Sequence, residues 1–420
     1  MSTPTAFVYV DWDDATHLVG RLLVTTSRGR DVMTFLYDAS WQTRNDRFAL
    51  APALAVSAAP HITTQGKNLF GALGDSAPDR WGQTLLRRDE RRRASLELRA
   101  PRTLREIDFL LGVTDFVRQG ALRFARSAGG EFVAPEKSGG VPPLVELPRL
   151  LAATERFLAD DESADDLRLL LAPGSSLGGA RPKASLRDHH GNLLIAKFPK
   201  GDDEYRMVAW EAVALRLAQH AGITVAQHRL ESVAGRDVLI LDRFDRHGTA
   251  RIPFLSALSM LGATDGEPRS YPELADVIRQ HGSAPRRDLH ELWRRIVFSV
   301  LISNTDDHLR NHAFLYTGPG GWRLSPAYDI NPTPIDVRPR VLSTAIAVDG
   351  DPTASLSIAL EVAEYFDLKP TEARIVAGVV GAAVKKWRDV AKDLGVVASE
   401  RERMATAFEH DDLLAALRLS

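Results

Sequence analysis

Leu301–Tyr316, LISNTDDHLRNHAFLY, sets two carboxylates, two histidines, an arginine and two asparagines against the apolar run AFLY. The preceding LWRRIVFSVLISN carries helical periodicity and HAFLYT reads as a strand. The polar cluster is therefore predicted in the loop between them, where functional side chains concentrate. Asp306 and Asn311 stand in the spacing D-x-x-x-x-N, and 18 residues beyond Asn311 the segment SPAYDINPT adds Asp329 after a predicted hairpin, HAFLYTGPGGWRLS.

That spacing is the one found in protein-kinase catalytic loops, where the Asp accepts the proton of the substrate hydroxyl and the Asn holds magnesium. Asp329 then takes the position of a second metal-binding carboxylate. Magnesium takes hard oxygen ligands and keeps several waters, so an Asp, an Asn carbonyl and nucleotide phosphates suffice. His308 is expected to shape the loop by hydrogen bonding. Three features depart from the ordinary kinase pattern. Asn304 and Thr305 precede Asp306 in place of His-Arg, Ile330 and Asn331 follow Asp329 in place of Phe-Gly, and no APE follows.

Upstream, GSSLGGARPKAS holds Gly174, Gly178 and Gly179, a composition that lets backbone N–H groups approach phosphate oxygens. It fits neither GxxxxGK[ST] nor GxGxxG, because Ala180 and Arg181 follow Gly179, so a plain flexible loop is the competing reading. Lys197 ends the predicted strand NLLIAKF, where a cation wants an anionic partner or solvent. The next helix offers Glu204 and Glu211; Glu211 is preferred because its apolar neighbours Val208, Ala212, Val213 and Leu215 would leave a carboxylate in need of a counter-charge. The alternative is a snorkelling Lys197 beside a solvated acid.

At 420 residues and a formal charge of -2, the chain is ordinary globular protein with no bulk attraction to nucleic acid or membrane. Zero cysteines exclude disulfides, thiolate metal sites and cysteine nucleophiles. The N-terminus lacks a basic flank and an apolar core, and no run reaches the roughly 20 apolar residues that span a bilayer, so a cytoplasmic protein is expected. Alternating runs such as AFVYVDW and VMTFLYD predict a small antiparallel sheet early in the chain, followed by helices. The expected organisation is a mixed-sheet subdomain over 1–126, a Gly/Pro/Ser-rich linker over 127–143, a second sheet unit over 144–250, and a helical unit over 251–420. Leu144–Leu171 is expected to be helical.

The segments SSLGGARPKASL, LLIAKF, DRFDR, NTDDHLRN and PAYDINPT, with FLYDASW, LFGALGDSAPDRWGQTLL and QGALRF nearer the N-terminus, resemble the HipA family, the serine/threonine kinase toxins of type II toxin-antitoxin systems. The resemblance covers nearly the whole chain. It implies an α+β, protein-kinase-like bilobal fold with an N-terminal mixed-sheet subdomain and an all-helical C-terminal lobe. It further implies ATP and Mg2+ as cofactors and phosphorylation of a protein substrate, typically an aminoacyl-tRNA synthetase. Asp306 maps to the catalytic base, Asn311 and Asp329 to the metal ligands, and Lys197 with Glu211 to the phosphate-binding pair. Nucleotide contacts fall on Ser176, Leu177, Gly178, Gly179, Ala180, Lys183, Lys197, Asp242, Phe244, His308, Asn311 and Asp329. In such proteins a serine of the glycine-rich segment is itself phosphorylated, which silences the enzyme; the register assigns Ser176, with Ser175 as its neighbour. A small helix-turn-helix antitoxin of HipB type is the implied partner, with DNA reached only through it and no membrane involved.

Two further readings stand beside this one. Asp306, His308 and His312 form a metal-hydrolase set if the loop keeps helical spacing, and a kinase-like protein can bind nucleotide or antitoxin without transferring phosphate. The run RRDERRRASLELRAPRTLR, Arg87–Arg105, holds eight arginines against three acids. It is either a solvated helix face or a surface for DNA or an acidic partner.

Overall fold

The computed structural model describes residues 5–27, 30–64, 69–134, 140–171 and 181–419. The chain divides into two compact units, one comprising residues 1–202 with 233–236 and 242–255, the other residues 203–232, 237–241 and 256–420.

In the first unit, strands β1 (Ala6–Trp12), β2 (Ala15–Ser27), β3 (Arg30–Tyr37), β4 (His61–Ile62) and β5 (Leu122–Ala125) form an antiparallel sheet in the order β4-β3-β2-β1-β5. Asp13 and Asp14, at φ 51° and 56°, make the two-residue turn between β1 and β2. Both residues sit in the left-handed region, as the hairpin turns that match strand twist require. Helix α1 (Arg80–Leu96) starts at Asp79, whose side chain accepts from Gly82 N–H at 2.8 Å, and α2 (Glu106–Gly112) follows. The expected helix Leu144–Leu171 is two helices, α3 (Leu147–Leu158) and α4 (Ala164–Leu171). They are parted by the polar stretch around Asp160, which is left-handed at φ 57°, and by Ser163, whose hydroxyl accepts the Asp166 N–H at 3.1 Å. Strands β6 (Lys183–Arg187) and β7 (Leu193–Lys197) form an antiparallel hairpin. Within 127–143, the Pro142 carbonyl accepts the Arg187 N–H at 3.0 Å, and Val141 packs with Val117 and Leu193.

In the second unit, α5 (Met207–His220) is buried on nearly every face, with Trp210 against Trp387 and Phe408. The neighbouring strands β8 (His228–Val233) and β9 (Arg236–Asp242) come next. Helices α6 (Tyr271–His281) and α7 (Pro285–Leu301) lead into the loop of Asp306. The loop runs out into the hairpin β10 (Ala313–Tyr316) and β11 (Trp322–Leu324). Residues 325–355 hold no helix, a departure from the all-helical expectation. Pro326, Pro332, Pro334, Pro339 and Pro352 punctuate that stretch, and each removes a backbone donor and bars the preceding residue from helical angles. Helices α8 (Pro370–Val384) and α9 (Asp411–Leu417) are among those that close the unit.

Candidate active site

Helix α7 ends in a residue sequence that cannot continue as helix. Ser303 turns left-handed, φ 52°, and Asn304 N–H caps back onto Ser299 O at 2.8 Å. Tight turns follow, in which the Asp306 carbonyl accepts from His308 N–H at 2.8 Å and from the Asn311 carboxamide at 3.0 Å. Asn311 spends its amide nitrogen inside the loop, so its Oδ1 is the atom left for a cation. His308 shapes the loop through its backbone, donating to the Asp306 carbonyl and accepting the Asn311 N–H at 2.8 Å, while its buried Nδ1 has no hydrogen-bond partner among the described residues.

The two adjacent aspartates go opposite ways. The Asp306 side chain is 67% exposed and its Oδ1 lies 3.2 Å from Arg338 Nη1. Asp307 is buried beneath the loop, where its carboxylate accepts from Tyr271 Oη at 2.5 Å and Ser299 Oγ at 3.1 Å and lies 3.0 Å from His312 Nε2. Burial alone would push the Asp307 carboxyl up; the charge of His312 and these hydrogen bonds outweigh it and hold it below the usual range. The Tyr271 hydroxyl is driven well above its ordinary value, by burial first and then by Asp307. The metal-hydrolase grouping does not form: His312 faces Asp307, and no group of three or more His, Cys, Asp or Glu able to hold a metal ion occurs among the described residues.

Asp329 reaches the same loop. Tyr328 Oη donates to the Arg310 carbonyl at 2.7 Å, Asn331 N–H to Asn304 Oδ1 at 3.2 Å, and Thr333 N–H to Ser303 O at 3.2 Å. Asp329 itself is left-handed at φ 57°. A non-glycine residue held there costs free energy and persists only where its surroundings impose it, a condition that clusters at functional sites. Asn304, which replaces the expected kinase histidine, is thus the residue that ties the two loops, and only its position two before Asp306 hinted at this. The Asn311 carboxamide and the Asp329 carboxylate, carried on the two segments that these bonds join, are hard oxygen donors of the kind magnesium takes. Glu211, on α5, is 3% exposed among apolar neighbours, as its pattern predicted.

In the first unit, Lys183 opens β6 and Lys197 closes β7, and the two are direct partners across the ladder. Lys183 is 4% exposed and its ammonium donates to Asp79 Oδ2 at 2.9 Å, a pairing its sequence context did not reveal. Ser175, Ser176, Leu177, Gly178, Gly179 and Ala180 lie outside the described residues. Asp242 is exposed at the end of β9, and Phe244 stacks on Phe254 with ring centroids 6.4 Å apart. Between and beyond them, Arg243 and Asp245 are buried. Asp245 takes Arg243 Nη2 at 2.6 Å, Arg246 Nη1 at 2.9 Å and Gly120 N–H at 2.7 Å, while Arg243 Nη1 donates to Val117 O at 2.6 Å. Nearby, Arg118 donates to the carbonyls of Ser76, Leu110 and Val113 at 2.8–2.9 Å, and Asp115 pairs with Arg123 and Arg251. Burial pulls the Arg118 and Arg246 guanidiniums down to about 9, still charged at neutral pH. Burial would raise the Asp245 carboxyl, but Arg243 and Arg246 hold it far below the usual range.

A family model described as HipA-like C-terminal domain matches residues 175–388, just over half of the chain. Two proteins carrying the name "Putative kinase" are similar in sequence. One, from Haemophilus influenzae, is 27% identical over 222 residues, 46% of this chain and 64% of that protein; the other, from Sinorhizobium fredii, is 28% identical over 148 residues, 32% of this chain and 33% of that protein. The chain thus spans under two thirds of the one relative's length and a third of the other's. Among solved structures, HipA from the Shewanella oneidensis MR-1 toxin-antitoxin system, determined with HipB and its operator DNA, superposes with a TM-score of 0.64 at 16% identity, covering 99% of this chain and 97% of that one. The likeness is one of fold, and the fold is α+β and kinase-like. By the family model, the chain belongs to the HipA family. Among the described residues, no helix is long and apolar enough to cross a membrane.

Proposed function

We propose that this chain is an ATP- and magnesium-dependent protein serine/threonine kinase of HipA type. The observation that supports this most directly is the division of labour at the catalytic loop: Asp307 is buried and pinned by Tyr271, Ser299 and His312, and its neighbour Asp306 is thereby presented to solvent with one oxygen against Arg338. In this reading Asp306 accepts the proton of an incoming serine or threonine hydroxyl through Oδ2, the oxygen that Arg338 does not occupy. A base so placed contributes roughly 10²–10⁴ in rate. Asn311 Oδ1 and the Asp329 carboxylate would hold magnesium, which would offset charge on the nucleotide phosphates. Lys197 is assigned to those phosphates and Glu211 to its support; Asp242 and Phe244 are assigned to the adenine end. The proposed stretches of the chain remain 1–126, 127–143, 144–250 and 251–420, with the nucleotide determinants in the third and the catalytic loop in the fourth.

Family resemblance extends the proposal. The protein substrate is a translation component such as an aminoacyl-tRNA synthetase, Ser176 or its neighbour Ser175 takes a self-inflicted phosphate, and a HipB-type antitoxin is the restraining partner. The Shewanella HipA structure, which contains HipB, supports the last of these.

The test is transfer of labelled phosphate from ATP by the purified chain, to itself and to proteins of a cell extract, with Asp306→Asn and Asp329→Asn beside it. Label in the parent and none in either variant is expected. Transfer retained by Asp306→Asn removes the base assigned here, and nucleotide-stabilised melting without any transfer marks a binding protein instead.

A further inference from the structure

Lys183 and Lys197 stand directly opposite one another in the β6–β7 ladder. Residues so opposed project from the same face with Cβ atoms roughly 4.5–5.5 Å apart, and like charges there repel. The first turn of α1 resolves the conflict. Asp79 Oδ2 accepts from Lys183 Nζ at 2.9 Å with the two side chains only 3% and 4% exposed. Its other oxygen is fixed by Gly82 N–H at 2.8 Å, and Trp81 Nε1 donates to the Lys183 carbonyl at 3.1 Å. Lys183 is therefore gripped at side chain and backbone from residues about a hundred positions upstream, at the strand end directly across from Lys197.

We infer that Asp79 is a positioning and charge-sorting residue of the nucleotide site: it neutralises Lys183, which the family resemblance counts among the nucleotide contacts, and so leaves the interaction with phosphate to Lys197. The inference rests on the assignment of Lys197 to nucleotide phosphates. A salt bridge that merely holds the sheet together and one that masks a cation predict opposite signs for nucleotide affinity. Removing the Asp79 charge leaves a second ammonium beside Lys197, which attracts a polyanion more strongly. Removing the Lys183 charge leaves a carboxylate there, which repels it. A strut would weaken binding in both cases or change it in neither.

Asp79→Asn is a narrow change, because Asn caps a helix as well as Asp does and the Trp81 bond is untouched. The measurement is the dissociation constant of ADP and of pyrophosphate by calorimetry, at low salt and at high salt, with unliganded thermal midpoints alongside. Asp79→Asn is expected to tighten both ligands by about three- to tenfold at low salt, with the gain shrinking at high salt. Lys183→Met is expected to weaken both by a similar factor, and the double variant Asp79→Asn/Lys183→Met to return close to the parent. If Asp79→Asn does not fold, Lys183→Met with unchanged or tighter binding overturns the inference, as does Asp79→Asn with unchanged or weaker binding, or a double variant that stays as tight as the single. A parent that binds neither ligand takes down the Lys197 assignment and this inference together; a parent that binds both, with singles that move alike, takes down this inference alone.

Discussion

Charged side chains crowd two regions of this molecule, the loop 303–313 of the second unit and the arginine-aspartate network of the first, and only one of them leaves a charge in water. In the network, Arg243 is fully buried, Asp245 nearly so, and every carboxylate contact is answered by a guanidinium or a backbone N–H. In the loop, the fold buries Asp307 with three partners and leaves Asp306 two-thirds exposed beside it. Burial of a charge is costly and is tolerated where the pairing is complete. The exposed carboxylate held beside a buried one is the arrangement that the proposed catalytic role of Asp306 needs, whereas the self-satisfied network has the character of architecture.

The contrast is broken most sharply by exchanging one carboxylate in each region. Asp306→Asn is expected to reduce phosphoryl transfer by about 10³-fold or more while leaving stability within about 0.5 kcal/mol, because an exposed side chain with one surface contact holds little of the fold. Asp245→Ala is expected to do the reverse kind of damage, a loss of about 3–5 kcal/mol, because Arg243 and Arg246 are left buried without their counter-charge. Urea unfolding beside the phosphate-transfer assay reads both. A stable Asp245→Ala protein, or an Asp306→Asn protein that unfolds early, would erase the distinction.

His410 supplies an intermediate case, a buried titratable group whose closest acid is already engaged. Its Nδ1 is 3.9 Å from Asp412, but Asp412 pairs with Arg340 at 2.7 Å. Burial, and then the Arg340 charge, pull the imidazole down to about 4. Its ordinary value is near 6.5, so between roughly pH 6.5 and 4 the unfolded chain binds a proton that the folded one refuses. Stability contributed by neutral His410 is thus complete above about pH 6.5 and is lost as pH falls toward 4, by an amount on the order of 1–3 kcal/mol. Thermal midpoints from pH 8 to pH 5 should fall more steeply for the parent than for His410→Gln. Equal slopes would show that other groups carry the acid loss.

Much of this was legible in the residues. The period-two runs predicted β1 to β3, the D-x-x-x-x-N spacing singled out Asp306, the one of the two adjacent aspartates that the fold leaves exposed, and the apolar surroundings of Glu211 predicted its burial. What the sequence hid was long-range pairing. Nothing local in RPKASL, Arg181–Leu186, announces that Lys183 meets Asp79, and DRFDRHGTAR reads as a polar turn until Val117, Gly120 and Asp115 are placed against it. Asn304 was equally silent, because its partner is a backbone N–H 27 residues downstream.

The arginine run Arg87–Arg105, which begins in α1, tests the comparison at its weakest end. Five of its eight arginines are engaged by acids: Arg88 by Asp160 and Glu162, Arg93 by Asp89, Arg99 by Glu90 and Glu97, Arg102 by Glu90 and Asp108, and Arg105 by Asp31; Arg87 lies over the Phe109 ring instead. Arg91 and Arg92 have neither a carboxylate nor a ring as partner among the described residues. A run that looked strongly cationic is for the most part neutralised by its own surroundings, as a solvated face would be. Arg91→Ala and Arg92→Ala are therefore expected to change stability by less than about 0.5 kcal/mol each, against a larger loss for Arg88→Ala, which forfeits Asp160, Glu162 and its seat over Phe157. Chemical denaturation of the three variants decides it. A marked loss at Arg91 or Arg92 would mean that the face is held by more than solvent, and the two arginines would then belong with the buried network instead of with the exposed loop.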